Sequence, residues 1–170
     1  YREAIAIRPD LDRPYYNMGC ALVMQGIHKE AVEAFEKAVE RNPRNQDAAM
    51  RLAMELCQVG RFAESEKQFQ SLLKASPSNA DLKFNYGSLL ALLGRTIEAE
   101  ELFRRALELK PEDAEGHDKF GLFLAQLGRT EEAKGHFQQS ISFSPSPDAH
   151  CHLALAMLVL NQPAASLEHY

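Results

Sequence analysis

The sequence has no tryptophan and only three cysteines among its 170 residues, Cys20, Cys57 and Cys151. Three widely spaced cysteines cannot form the disulfide framework of a small secreted protein, so we expect a reducing compartment, the cytoplasm. The formal net charge of −5 offers no attraction to nucleic-acid phosphates or anionic lipids. No apolar run approaches the ~20 residues that span a bilayer. We therefore expect neither nucleic-acid binding nor membrane insertion.

Three residue types recur in the sequence with one common period of 34 residues. A period between about 20 and 50 residues indicates a repeat array, in which neighbouring copies bury a shared core. The residues in phase are Pro9, Pro43, Pro77, Pro111 and Pro145; Gly26, Gly60, Gly94 and Gly128; and Phe35, Phe69, Phe103 and Phe137.

Each repeat has the pattern of two helices joined by a tight turn. From Pro14 to Gln25 the apolar residues recur at i, i+3 and i+4, as in an amphipathic helix. Gly26 then ends this first helix, and Pro43 ends the second. We expect one domain over 1–170, divided into repeats 1–11 (partial), 12–45, 46–79, 80–113, 114–146 and 147–170 (partial).

Polar residues stand where the helices should begin and end. Asn45, Asn79, Asp113 and Ser146 are expected to cap the first helices, and Thr96 and Thr130 the second helices. Asn161 replaces the turn glycine in the last copy, because asparagine tolerates left-handed geometry. Gly87 and Gly121 are expected where two helices approach closely.

These residues resemble the tetratricopeptide (TPR) repeat, whose pattern is W-x2-L-G-x2-Y, then A-x3-F, then P. The first full copy reads Tyr15-x2-Met18-Gly19-x2-Leu22, Ala31-x3-Phe35 and Pro43. The resemblance covers the chain and implies an all-α, right-handed α-solenoid of about five repeats. Tyr1 and Tyr170 occupy the aromatic position of their copies, so we expect a piece of a longer array. The tryptophan position of the family is filled by Tyr15, Ala49, Lys83, His117 and His150.

The resemblance also implies a binding site, since TPR first helices line a concave groove that is the usual ligand site. The main hypothesis is a non-catalytic scaffold that holds a peptide or an amphipathic helix of a partner protein, with Tyr16 and Phe84 as anchors. Leu122, Leu155 and Leu158 face the groove by phase. The expected contact residues are Tyr16, Asn17, Cys20, Met50, Arg51, Met54, Phe84, Asn85 and Lys119.

The same residues also bear on other functions. The groove positions do not match the Lys/Asn clamp with which some TPR domains hold chaperone tails. His150, Cys151 and His152 are consecutive, so they point in different directions on a helix and form no catalytic or metal site. We expect no enzyme activity, cofactor or metal. Alternatives are the substrate-recruiting segment of a larger enzyme, such as a glycosyltransferase, and self-association through exposed repeat ends. The acids Asp47, Asp81, Glu115 and Asp148 form either an acidic binding edge or helix-dipole partners.

Overall fold

The computed structural model describes residues 11–161, and within that range it contains nine α-helices and no strand. The fold is an all-α helical repeat solenoid, as predicted. First and second helices alternate. The first helices are α1 (Asp12–Met24), α3 (Gln46–Gln58), α5 (Ala80–Leu92), α7 (Ala114–Gln126) and α9 (Pro147–Leu160); the second helices are α2 (His28–Arg41), α4 (Phe62–Ala75), α6 (Thr96–Leu109) and α8 (Thr130–Phe143).

The chain divides into two compact units, Tyr1–Ser78 and Asn79–Tyr170, which are described separately. The first unit contains the hairpins α1–α2 and α3–α4, and the second contains α5–α6, α7–α8 and α9. The expectation of one domain over 1–170 stays a prediction. The sequence features at Tyr1, Pro9 and Tyr170 lie outside the described residues.

The predicted caps of the first helices are confirmed, whereas those of the second helices are wrong. The side chains of Asn45, Asn79, Asp113 and Ser146 each accept a hydrogen bond from the backbone N–H three residues later, at 2.9–3.1 Å. Thr96 and Thr130 are already inside their helices, and the cap positions belong to Arg95 and Arg129, whose side chains make no capping bond.

The four in-phase glycines end the first helices with φ between +72° and +81°, a conformation that favours glycine. At Gly26 the backbone N–H bonds to the carbonyl of Val23, and the next N–H bonds to that of Leu22. The expectation for Asn161 is wrong, because its φ of −88° continues the right-handed helical geometry of α9.

Each hairpin closes where a phenylalanine of the second helix lies on a small residue of the first, a contact that we call the seam. Phe35 and Phe137 are almost completely buried. A Cβ on Gly19 would lie 2.6 Å from Cε1 of Phe35, and one on Gly121 would lie 2.5 Å from Cε1 of Phe137. These glycines are therefore required for the close approach of their helices.

Two hairpins have room for a methyl group at the position of the small residue. At Gly87 a Cβ would lie 3.4 Å from the ring of Phe103, which is ordinary contact distance. In the second hairpin the small residue is Ala53, whose carbonyl accepts a 2.6 Å hydrogen bond from Oγ of the buried Ser65. Glycine is therefore not required at this position in these two hairpins.

Arginines directly after the turn glycines link successive second helices. In the first unit Arg61 contacts Glu64 of α4 at 2.6 Å and Glu36 of α2 at 3.0 Å. In the second unit Arg129 contacts Glu132 of α8 and Glu100 of α6, both at 2.7 Å. The pattern G-R-x-x-E at 60–64, 94–98 and 128–132 signals the bond to the glutamate three residues later. It does not signal the contact with the preceding second helix, because Glu36 and Glu100 are not at equivalent repeat positions.

The seam predicts that three Gly→Ala substitutions in the second unit change the free energy of unfolding by different amounts. Gly121→Ala should lower the free energy of unfolding by about 1–3 kcal/mol, because its Cβ forces the Phe137 ring to move. Gly87→Ala should change the free energy of unfolding little, because the added Cβ would lie at ordinary contact distance from its neighbours. Urea unfolding of each variant measures these differences.

Gly135→Ala is the matched control, because Gly135 lies within α8 and a Cβ there would meet nothing within 4 Å. It should raise stability by roughly 0.5–1 kcal/mol through helix propensity alone. If Gly121→Ala and Gly135→Ala proved equally stable, the close contact with Phe137 would be contradicted.

Candidate partner-binding faces

The side of each first helix that carries the predicted contact residues is the first-helix face, and each unit has its own. In the second unit, residues one repeat apart on this face contact each other. Lys119 Nζ of α7 donates a 3.1 Å hydrogen bond to Asn85 Oδ1 of α5, and it lies 2.8 Å from Glu115. The structure thus brings together Asn85 and Lys119, two of the predicted contact residues.

A second polar pair continues this row between α7 and α9. Nδ1 of His152 lies 2.8 Å from Oδ1 of Asp118, and both side chains are largely buried. Like Asn85 and Lys119, these residues are 34 positions apart. The pair was not predicted, because the last copy is one residue short and the residue equivalent to Asp118 in the repeat is Cys151.

Aliphatic side chains lie beside the polar pairs on the same face. Leu122 follows Asp118 by one turn of α7 and is 37 % exposed. Leu155 and Leu158 follow His152 at three-residue intervals on α9 and are 60 % and 58 % exposed. The first-helix face of the second unit therefore combines hydrogen-bonded polar side chains with an exposed aliphatic row.

The first-helix face of the first unit is more aromatic and sulfur-rich. The Tyr16 ring packs edge-on against Phe35 with 5.9 Å between the centroids. Arg51 of α3 is exposed, and its guanidinium and the Cys20 thiol lie close enough to Tyr16 to act on the pKa of its hydroxyl. Burial and the neighbouring Cys20 raise this pKa. Three predicted contact residues, Tyr16, Cys20 and Arg51, are thus neighbours on this face.

The remaining predicted residues of the first unit are half-buried. They are Asn17, Met50 and Met54. Further along the same face, burial raises the pKa of the Cys57 thiol. Because their side chains are only partly covered, part of each side chain remains accessible on this face.

Phe84 does not have the expected position. Its side chain is only 2 % exposed, and its ring occupies the space above Gly116 of α7, where any Cβ would collide with it. Phe84 also packs 6.3 Å from Phe103 between ring centroids. The expectation that Phe84 anchors a ligand is therefore corrected, because its ring is part of the core of the second unit.

The acidic edge is only partly available to a partner. Asp81 binds Lys110 at 2.7 Å, and Glu115 binds Lys119 at 2.8 Å. Asp47 and Asp148 are exposed in the first turns of their helices. Two of the four acids thus already have partners within the chain, and all four complement a helix dipole.

Three further observations concern other kinds of site. Over residues 11–161, no group of three His, Cys, Asp or Glu side chains is arranged to hold a metal ion. In the same range no helix has the length and apolar character needed to cross a membrane. Cys20, Cys57 and Cys151 are free thiols, and Cys151 is exposed.

Solved structures with the same fold include several TPR proteins. TTC0263 of Thermus thermophilus is 20 % identical with a TM-score of 0.80, covering 88 % of this chain and 83 % of its own. YrrB, described as having an unusual peptide-binding site, is 23 % identical with a TM-score of 0.69, covering 95 % and 80 %. A chain of the Cut9–Hcn1 hetero-tetramer is 15 % identical with a TM-score of 0.84, covering 94 % and 32 %. At these identities the likeness shows the fold.

The family assignment comes from the sequence models. Two tetratricopeptide repeat models match residues 13–45 and 51–114, which together are more than half of the chain. A search of curated proteins found no match to the sequence. With the hairpins, the seams and the matching models taken together, this chain belongs to the tetratricopeptide repeat family.

Proposed function

We propose that the chain is a non-catalytic protein-interaction module whose first-helix faces bind a peptide or an amphipathic helix of a partner protein. The observation that carries the proposal is the exposed row of Leu122, Leu155 and Leu158 beside the bonded polar pairs of the second unit. Exposed apolar patches with a polar border are typical of partner sites.

The leucine row and the polar side chains of this face would act differently on a ligand. The leucine row gains free energy by burying the apolar side of an amphipathic segment. Lys119 can add a charge-assisted hydrogen bond to a carbonyl or carboxylate of the ligand. Because Asn85, Asp118 and His152 already have partners in the chain, they give the face a defined shape at little entropic cost on binding.

The face of the first unit would contribute a different chemistry. Tyr16 offers a ring that packs against Phe35, and the exposed Arg51 nearby offers a cation. The half-buried Met50 and Met54 are adaptable, a property found at surfaces that accept varied apolar ligands. The proposed contact residues of this unit are Tyr16, Asn17, Cys20, Met50, Arg51 and Met54.

The setting of the protein is a further feature of the proposal. The free thiols of Cys20, Cys57 and Cys151 are consistent with a reducing compartment such as the cytoplasm.

Charge on the leucine row should abolish binding. Peptides selected from a displayed library on the immobilised chain would be measured against a Leu122→Glu/Leu155→Glu variant. We expect at least a ten-fold rise in Kd, the scale of ~1.4 kcal/mol or more for residues at the centre of an interface. Both side chains are exposed, so the fold should be retained, which circular dichroism checks.

Ile97→Glu is the control for this experiment, because Ile97 is 84 % exposed on the second helix α6 of the same unit. It should bind the selected peptides as tightly as the wild type. Equal losses in the control and the double variant, or a failure to select any peptide, would count against the first-helix face as the site.

The reactivity of Cys151 gives an independent measurement of ligand binding to the same face. Its exposed thiol should react quickly with iodoacetamide, whereas Cys57 should react slowly because burial raises its pKa and reduces the thiolate fraction. A selected peptide bound to the second unit should slow only the fast reaction, as followed by mass spectrometry. Unchanged labelling of Cys151 at saturating peptide would place the ligand elsewhere.

A further inference from the structure

The charged residues of the first helices in the second unit all lie toward the N-terminal ends of those helices. They are Asp81 and Lys83 of α5, Glu115, Asp118 and Lys119 of α7, and Asp148 of α9. From Phe84, Phe120 and Ala149 onward, these helices contain no Asp, Glu, Lys or Arg. The first-helix face of this unit therefore has a charged side and an uncharged side, and the leucine row belongs to the uncharged side.

The charged side carries more acid than base. It has four acidic residues and two lysines, and Lys83 is only 8 % exposed. Lys119 is already held by Asn85 and Glu115, at 3.1 and 2.8 Å. Glu115 and Asp148 are exposed. A ligand on the leucine row thus has a net negative charge beside it.

The polar side chains of this face are bonded to one another. Asn85 pairs with Lys119, and Asp118 pairs with His152. An extended ligand leaves its own backbone N–H and C=O groups without internal partners, so it needs hydrogen-bonding groups from its site. An α-helix satisfies its backbone internally. The face is therefore suited to a helical ligand, because an extended one would have to compete with the existing pairs.

The positions of the leucines also match a helix. Leu122 and Leu155 are each the ninth residue of a first helix, α7 and α9, and packed helices lie about 8–10 Å apart. Residues seven positions apart on an α-helix share a face and are separated by about 10.5 Å. On a strand, residues that share a face are separated by about 6.6 or 13 Å, which fits the leucines less well.

We propose that the ligand of the second unit is a basic amphipathic α-helix that crosses α7 and α9. Apolar residues seven positions apart lie on the leucine row, and lysines or arginines on one flank face the charged side. Burial of the apolar stripe supplies binding free energy, and Glu115 and Asp148 favour a cationic flank. This inference rests on the proposed function of the face and specifies the chemistry of its partner.

A series of fluorescently labelled synthetic peptides tests the proposal. The parent is an alanine-based peptide of about 18 residues with a leucine stripe at i, i+3, i+4 and i+7 and with lysines on one flank. A second peptide has proline at its centre, and a third has glutamates in place of the lysines. We expect the parent to have a Kd at least ten-fold lower than the others, because proline breaks the helix and glutamates meet like charges. Fluorescence anisotropy measures each Kd.

Variants of the chain locate the binding of the parent peptide. Leu122→Asn/Leu155→Asn removes the apolar row without adding a negative charge that would itself attract lysines, and it should raise the Kd at least ten-fold. Asp148→Asn should raise the Kd roughly two- to five-fold, the scale of an exposed ion pair. Asp47→Asn is its matched control, because Asp47 is an exposed first-turn acid of α3 in the first unit. It should bind as the wild type.

The proposal would be overturned if the proline or the glutamate peptide bound as tightly as the parent. Absence of binding by the parent, or an unchanged Kd in Leu122→Asn/Leu155→Asn, would also contradict it. The library-selected peptides separate this outcome from failure of the proposed function. A selected peptide that requires Leu122 and Leu155 but tolerates a central proline would exclude the helix and leave the face as a binding site.

Discussion

The contact on which the rest of this structure depends is the phenylalanine of each second helix lying on a small residue of the first helix. The Phe35 ring leaves no room for a Cβ at Gly19, and the Phe137 ring leaves none at Gly121. This contact decides which side of a first helix is buried. The opposite side is thereby left for neighbouring first helices and for ligands. In the second unit it carries both the polar pairs and the leucine row, so the proposed binding face depends on the seam.

Local features of the fold could be predicted from the sequence because each depends on one or two neighbouring residues. A turn glycine needs only a positive φ, and Asn45 needs only a free N–H three residues later. Thr96 and Thr130 failed as caps because the helices begin one residue before the expected register. The expectation for Asn161 was wrong because tolerance of left-handed geometry permits that conformation without requiring it. Asn161 follows the last residue of α9 with a φ of −88°, in right-handed geometry.

The candidate site was less predictable, because repeat phase gives the direction of a side chain and not what covers it. Phe84 and Tyr16 are in equivalent positions, yet Phe84 is buried because Gly116 leaves space for its ring. Gly116 is not in phase with any other glycine, so the repeat pattern could not indicate this. The contact between Lys119 and Asn85 could be predicted, since both residues are predicted contact residues and they are one repeat apart.

In the fourth hairpin a polar residue replaces an apolar one at a core position, and it therefore needs hydrogen-bond partners. Ala49 fills the tryptophan position of the second hairpin without needing any partner. His117 at the same position needs two partners, and it finds them in the Pro111 carbonyl and His136. Buried polar atoms stabilise a fold only when all of them are satisfied. Both ring nitrogens of His117 have a partner, so this polar side chain is accommodated at a position that is apolar in the second hairpin.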